Sequence, residues 1–217
     1  MKKSTFVFMA LVFGCFLFLN APQAQATLFG FSKITNNGNT DVGSQLSVDV
    51  TAGASGEVLF KFFNNVGTAS SITDIYFDDG TLLALATVTD SDNGPDFSAG
   101  ANPGELPGAN DASPDFNTTA GFSADSNTPI TDNGVNAANE WVAILFTLKG
   151  GQTFADTLAA IADGSLRIGL HVQGIAPQGG SDSYVNNNTP VPEPISMLLF
   201  GTGLVGVGGY VRRKFKK

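Results

Sequence analysis

An alternating stretch, EVLFKFF at residues 57–63, decides the fold. Val58, Phe60 and Phe62 alternate with the residues between them, as expected of a strand that buries one face. Similar short runs recur along the chain, and segments rich in turn-forming Gly, Asn, Asp and Ser separate them. We therefore predict an all-β domain, an antiparallel β-sandwich or jelly roll, with strands at residues 28–34, 45–50, 57–63, 71–77, 82–89, 140–148 and 166–175.

One short helix interrupts the predicted strands. Thr153 is a suitable N-cap, and Asp156 three residues later places an anion at the N-terminal turn. Gly164 is placed to end the helix. An apolar stripe at helical spacing would seat the helix against one edge or end of the sheets, and it consists of Phe154, Leu158 and Ile161.

Two segments and one turn complete the predicted layout of the domain, which spans residues 27–177. The sequence Asp78-Asp79-Gly80 resembles a hairpin turn between two strands. Residues 90–133 lack sustained periodicity, and a long insertion of this kind is usually functional or mobile. Residues 178–191 are polar and rich in Asn and Gly, which predicts a linker.

Charge is distributed unevenly along the 217 residues. The net charge is −8, with 11 basic and 19 acidic residues. Residues 27–190 hold four of the basic and 18 of the acidic residues, so the central domain is strongly acidic. Such a surface disfavours nucleic acid, which binds basic patches. The one cysteine, Cys15, lies near the N-terminus, so disulfide or thiolate chemistry in the central domain is excluded.

The first 26 residues predict a cleaved secretory signal peptide. Lys2 and Lys3 precede an apolar stretch at 6–19, which would form the signal helix. Ala24 and Ala26 supply the small residues of a cleavage site, so we expect cleavage after Ala26. The implied partners are the Sec translocon and signal peptidase.

The C-terminal residues 192–217 have three parts in order. Pro192, Glu193 and Pro194 precede an apolar, glycine-rich run at 195–211. As a transmembrane helix this run would span about 26 Å, slightly less than the roughly 30 Å hydrocarbon core. A basic tail follows at residues 212–217, and by the positive-inside rule it stays cytoplasmic; its cations are Arg212, Arg213, Lys214, Lys216 and Lys217.

This tripartite segment resembles the PEP-CTERM sorting domain. The resemblance implies recognition by exosortase, an integral-membrane, transpeptidase-like cysteine protease, with this protein as its substrate. It also implies a Gram-negative host that makes extracellular polysaccharide. The expected location is the inner membrane, facing the periplasm, before processing, and the cell surface or extracellular matrix afterwards.

Candidate chemistry in the domain is sparse. His171 and Arg167 fall on one face of a predicted strand, as a polar patch or as an ordinary solvated, hydrogen-bonded face. No Gly-x-Ser-x-Gly elbow is present, and one histidine without a usable cysteine disfavours a zinc site. We therefore predict no catalytic residues.

The sequence DSDNGPD at residues 90–96 partly resembles a calcium loop. Asp90, Asp92 and Asp96 could form a weak Ca²⁺ site, the alternative being ordinary turn-forming residues. We predict no other cofactor. Tyr76, Trp141 and Tyr184 are candidates for stacking on sugars, although Trp141 fits a core position better.

These observations predict a non-enzymatic surface or extracellular-matrix protein that exosortase sorts and that associates with exopolysaccharide or biofilm. Two alternatives stay open. One is a carbohydrate- or calcium-binding adhesin module, and the other is a hydrolase that acts on polysaccharide.

Overall fold

The computed structural model describes residues 26–79, 82–119 and 121–191. Within these residues the chain forms ten strands and one α-helix. In chain order the elements are β1 (Ala26–Lys33), β2 (Leu46–Ala52), β3 (Glu57–Asn64), β4 (Ser71–Asp79), β5 (Leu83–Asp90), β6 (Phe97–Ala99), β7 (Ser123–Ser126), β8 (Val142–Leu148), α1 (Phe154–Asp163), β9 (Leu166–Ile175) and β10 (Gly180–Pro190).

All ten strands belong to one antiparallel sheet that curls over itself. Their order is β5-β8-β3-β2-β1-β10-β9-β4-β7-β6. Phe77 on β4 lies five positions from β3 in that order, yet its ring centroid is 5.1 Å from that of Phe60 and 4.8 Å from that of Phe146 on β8. The predicted antiparallel all-β class with one helix is confirmed. The two halves face each other as in a sandwich, but a continuous hydrogen-bonded ladder joins them instead of two separate sheets.

The alternating stretch lies in the centre of the core. Val58, Phe60 and Phe62 on β3 are fully buried, as their spacing predicts. Phe60 makes edge-on contacts with Phe77 and Phe146, the geometry that aromatic pairs prefer. This face of β3 therefore binds the two halves of the curled sheet together.

The predicted linker at 178–191 is wrong, because Gly180–Pro190 form the central strand β10 between β1 and β9. The strand reads as polar because its buried polar side chains find partners on neighbouring elements. The Asp182 carboxylate accepts hydrogen bonds from Thr35 and Asn39. Tyr184 is fully buried and its hydroxyl accepts the Val42 N–H. The folded domain therefore extends beyond residue 177, to the end of β10.

The predicted hairpin at 78–80 is also wrong. β4 pairs with β9 and β7, whereas β5 pairs with β8 in the opposite half of the sheet. The buried Asp79 carboxylate accepts the backbone N–H groups of Leu82 and Leu83 at 3.1 and 2.8 Å. Asp78 and Asp79 therefore precede a connection that passes from one half of the sheet to the other.

The segment without periodicity, residues 90–133, contributes β6 and β7 and a cover over the outer face of the sheet. We call residues 100–119 the outer cover. Leu106 and Phe116 of this cover are buried against Tyr76 on β4. Gly169 on β9 allows the approach, since a Cβ there would lie 2.8 Å from the Leu106 side chain.

The predicted helix is confirmed at both ends. Thr153 and Asp156 form a reciprocal capping box, and Gly164 ends the helix with φ +79°. Ile161 is fully buried, with Phe154 and Leu158 packed on the core beside it. The helix contacts β3, β9 and β10.

The two targeting segments fall almost entirely outside the described residues. Ala24, the apolar run at 195–211 and the basic tail are not among them, so the signal peptide and the transmembrane helix stay predictions. Ala26 is the first residue of β1. In the described stretches 26–79, 82–119 and 121–191, no helix is long and apolar enough to cross a bilayer.

Candidate functional site

A row of three titratable side chains crosses the outer face of the sheet. The antiparallel register makes Asp125 on β7 and His171 on β9 the Cα partners of Asp74 on β4. His171 Nδ1 lies 2.9 Å from Asp74 Oδ2, and the Thr73 hydroxyl donates to the same oxygen at 2.9 Å. Asp74 is 2% exposed, whereas Asp125 and His171 are partly exposed, so the row is a partly buried polar network.

Burial and repulsion set the protonation of this row. Burial, together with the charge of Asp74 and a hydrogen bond to it, raises the pKa of Asp125 from 3.8 to about 6. Burial also raises the pKa of Tyr76, with a further contribution from Asp74. The Tyr76 hydroxyl donates to the Pro103 carbonyl of the outer cover at 3.0 Å. Asp125 therefore keeps its proton to a higher pH than an ordinary aspartate does.

The chemistry of the row is limited by the partners of His171. Within the described stretches its ring hydrogen-bonds to Asp74 and lies 3.4 Å from Gln173 Nε2. A Ser-His-Asp type of catalysis needs a hydroxyl nucleophile on the imidazole, and no such contact is present in this part of the chain. His171 therefore belongs to a hydrogen-bonded network with Asp74, Thr73 and Gln173.

His171 and Arg167 do lie on one face of β9, but they do not form a shared patch. Gly169 separates them, and the outer cover packs over it. The Arg167 guanidinium pairs with Asp78, with Nε 3.1 Å from Oδ2, and donates to the carbonyls of Pro114 and Asp115. Arg167 therefore fastens one end of the outer cover to the sheet.

The three aspartates of the predicted calcium loop serve separate roles. Asp90 Oδ2 accepts the Phe97 N–H at 2.8 Å, and Asp96 Oδ1 accepts the Asn127 amide at 2.8 Å. Asp92 is exposed, and its carboxylate accepts no hydrogen bond from the described residues. In the same residues, three or more Asp, Glu, His or Cys side chains nowhere converge as a metal site would require. The geometry thus gives the calcium prediction no support.

An open polar pocket lies at the end of the sheet where β9 turns into β10. Its volume is about 330 Å³, and the polar residues that line it are Ser70, Ser71, Thr131, Asp132, Asn136 and Gln173. Gln173 also donates to Thr73 at 3.0 Å, which connects the pocket to the partly buried row. The Asn136 amide donates to the carbonyls of Thr131 and Asp132, leaving its own oxygen as an acceptor. The wall can therefore receive hydrogen bonds from a hydroxyl-rich molecule.

None of the residues that line the pocket was predicted as a site from the sequence. They come from three segments that are distant in sequence, and they are residue types that also occur in ordinary turns. No local sequence pattern marks these residues, because the fold alone brings their three segments together.

The aromatic candidates are placed differently from expectation. Tyr76 and Tyr184 are fully buried and cannot stack on a sugar. Trp141 is half-buried, not a core residue, and the Lys61 ammonium lies 3.9 Å from its ring centroid. This contact is within the range of a cation–π interaction. Lys61 therefore occupies one face of the indole.

The substitution Asp125→Asn tests the partly buried row. Burial and the charge of Asp74 disfavour the charged form of Asp125, so their cost is absent below about pH 4 and complete only above about pH 7, one unit past the raised pKa of about 6. The variant should therefore melt at the same temperature as the parent at pH 4 and higher at pH 8. With allowance for solvent screening, relief on the order of 1 kcal/mol corresponds to about 2–4 °C. Calorimetry that finds the same difference at both pH values contradicts this assignment.

Comparison with known proteins places a single segment of the chain. Residues 190–214 match the PEP-CTERM protein-sorting motif. Nothing among curated proteins or among solved structures matches the chain significantly. The match begins at Pro190, the last residue of β10, and contains the predicted sorting residues Pro192, Glu193 and Pro194. The chain therefore carries a PEP-CTERM protein-sorting motif, which implies an exported, membrane-anchored precursor that exosortase processes.

Proposed function

We propose that this protein is a non-enzymatic surface or extracellular-matrix protein that exosortase delivers to the cell surface and that associates with extracellular polysaccharide. One observation carries the proposal: the sorting motif starts at the last residue of a central strand. The β domain is therefore itself the cargo, joined to its sorting signal without an intervening linker.

The use of polar groups in the domain supports a structural role. Asp74, His171 and Gln173 hydrogen-bond to one another or to Thr73. Asp79 and Asp182 accept backbone and side-chain donors that hold loops in place. These groups stabilise the sheet and its cover, whereas catalysis would require some of them to face a substrate.

The charges of the domain restrict the partner. In the described part of the chain each lysine or arginine is engaged: Lys33 with Asp182, Arg167 with Asp78, Lys61 over Trp141 and Lys149 over Phe122. Of the 18 acidic residues at 27–190, Asp74, Asp79 and Asp182 are buried, and the other 15 leave the surface predominantly acidic. Such a surface repels polyanions, so the proposed polymer is a neutral, hydroxyl-rich polysaccharide.

A carbohydrate-binding adhesin module is the second candidate function, and the polar pocket favours it. Asp132 is exposed, and together with the Asn136 and Gln173 side-chain oxygens it offers acceptors to sugar hydroxyls. A charged acceptor makes the stronger hydrogen bonds of this kind. In this second candidate, binding at the pocket is the function and sorting serves to display it.

Deletion of residues 192–217 tests the sorting proposal. The shortened chain keeps β10 and the Val191 N–H bond to Leu28 O, so its melting temperature should equal that of the full domain. It should move from the envelope fraction to the medium, because the exosortase-recognised segment is gone. Full-length Asp92→Ala is the matched control and should stay in the envelope fraction. Equal partitioning of the deleted and full-length proteins would contradict sorting through this segment.

Retention in gels containing the producing strain's own polysaccharide tests the adhesin candidate. The variant Asp132→Ala should lose about tenfold in affinity, since a hydrogen bond to a charged group contributes roughly 1.5–3 kcal/mol. Asp92→Ala removes an exposed acid without touching the pocket and should bind like the parent. If the parent is retained and both variants are retained equally, the pocket is not the binding site. If the parent itself runs freely, the polysaccharide association is wrong.

A further inference from the structure

Both membrane-directed ends of the domain lie at the same pole of the curled sheet. β1 begins at Ala26, β10 ends at Pro190, and the two strands are antiparallel neighbours. Phe29 is the Cα partner of Pro190, and the Val191 N–H donates to Leu28 O at 2.7 Å. We call this end, which also carries the β2–β3 turn at 53–56 and the helix α1, the exit pole.

The opposite end, the far pole, carries the polar pocket. The β9–β10 hairpin around Gln178 lies there, because β10 starts at Gly180 and runs towards the exit pole. The pocket residues Ser70, Asp132 and Gln173 belong to the loops and strand ends of this pole. Ten steps along β10 at about 3.3 Å each separate the two poles by roughly 30 Å.

The chain available between the exit pole and the membrane is very short. The Val191 N–H is hydrogen-bonded to β1, and the apolar run begins at Ile195, four residues on. Four residues of fully extended chain span at most about 14 Å. Two of the three intervening residues are prolines, which stiffen the backbone further.

We propose that the precursor is held with its exit pole against the membrane surface and its far pole, with the polar pocket, directed away from the cell membrane. This orientation rests on the proposed membrane crossing of residues 195–211. It follows from a tether that is about half as long as the domain is tall. The exit pole cannot exchange places with the far pole without unpairing β10 from β1.

The N-terminal end gives the same orientation independently. Ala26 pairs with Thr51 at the exit pole, so a leader still attached to it would leave the domain there as well. Both attachments therefore leave the domain at the exit pole, and together they present the far pole outward. Signal cleavage therefore changes the number of attachments without changing the orientation of the domain.

The exit pole carries negative charge that keeps it from adsorbing to anionic lipid. Asp156 and Asp163 of α1 are fully exposed and Glu57 begins β3 at the same pole, so these acids outnumber Lys149, which follows β8 there. Anionic headgroups repel such a surface. The tether, and not lipid affinity, holds the pole near the bilayer.

Fluorescence quenching in reconstituted vesicles tests this orientation. The full chain is prepared with Cys15→Ser and one new cysteine, either Ser55→Cys at the exit pole or Gln178→Cys at the far pole, both at exposed turn positions. Each is labelled with an environment-sensitive fluorophore in phosphatidylcholine vesicles that contain nitroxide-headgroup lipid. The label at 55 should be quenched at least about twice as strongly as the label at 178. Equal quenching, stronger quenching at 178, or a chain that does not float with the vesicles overturns the proposal.

A linker variant separates tethering from adsorption. In a chain that begins at Ala26, so that no leader holds the exit pole, twenty Gly/Ser residues inserted between Val191 and Pro192 raise the mean reach of the tether to roughly 25 Å. The difference in quenching between the two labels should then shrink towards zero. If position 55 stays strongly quenched, the exit pole binds lipid by itself and the tether explanation is wrong. Polysaccharide retention by the soluble domain is measured without vesicles, so it is unaffected by either result.

Discussion

The pairing of β10 with β1 is the constraint on which the rest of the structure depends. β10 joins the half that contains β1, β2, β3, β8 and β5 to the half that contains β9, β4, β7 and β6. Asp182 fixes its beginning: burial alone would raise the pKa of this carboxyl, but hydrogen bonds from Asn39, Lys33 and Thr35 lower it. The Val191 N–H bond to Leu28 O fixes its end. Without this strand the sheet would divide into two sheets. The hydrogen-bonded ladder would then no longer hold Phe77 against Phe60 and Phe146.

This constraint connects the fold to sorting. The last strand, β10, ends where the PEP-CTERM motif begins. The sheet can therefore be completed only after the chain has been synthesised up to the motif. The same pairing brings the two membrane-directed ends together at one pole. A domain so attached leaves its opposite pole as the surface available to an extracellular partner, and the polar pocket lies there.

The sequence was informative where one face of an element is apolar. Val58, Phe60 and Phe62 predict β3, and Thr153, Asp156 and Gly164 predict both ends of α1, because periodicity and capping are local properties. It failed where polar residues are buried with distant partners. Asp182 on β10 finds its partners more than 140 residues earlier in the chain, so this strand carries no local apolar signal. The pocket and the row of Asp125, Asp74 and His171 are products of strand order, which pairs residues that lie far apart in the sequence.

Hydrogen exchange of the full-length chain, followed by mass spectrometry of its peptides, tests the central role of β10 most directly. Amides in a central strand open only with the domain as a whole, whereas amides in a polar linker exchange within seconds. The peptide that covers residues 180–190 should be protected as strongly as the peptide that covers β9. Exchange of residues 180–190 at the rate of an unstructured segment, with β9 still protected, would contradict this account.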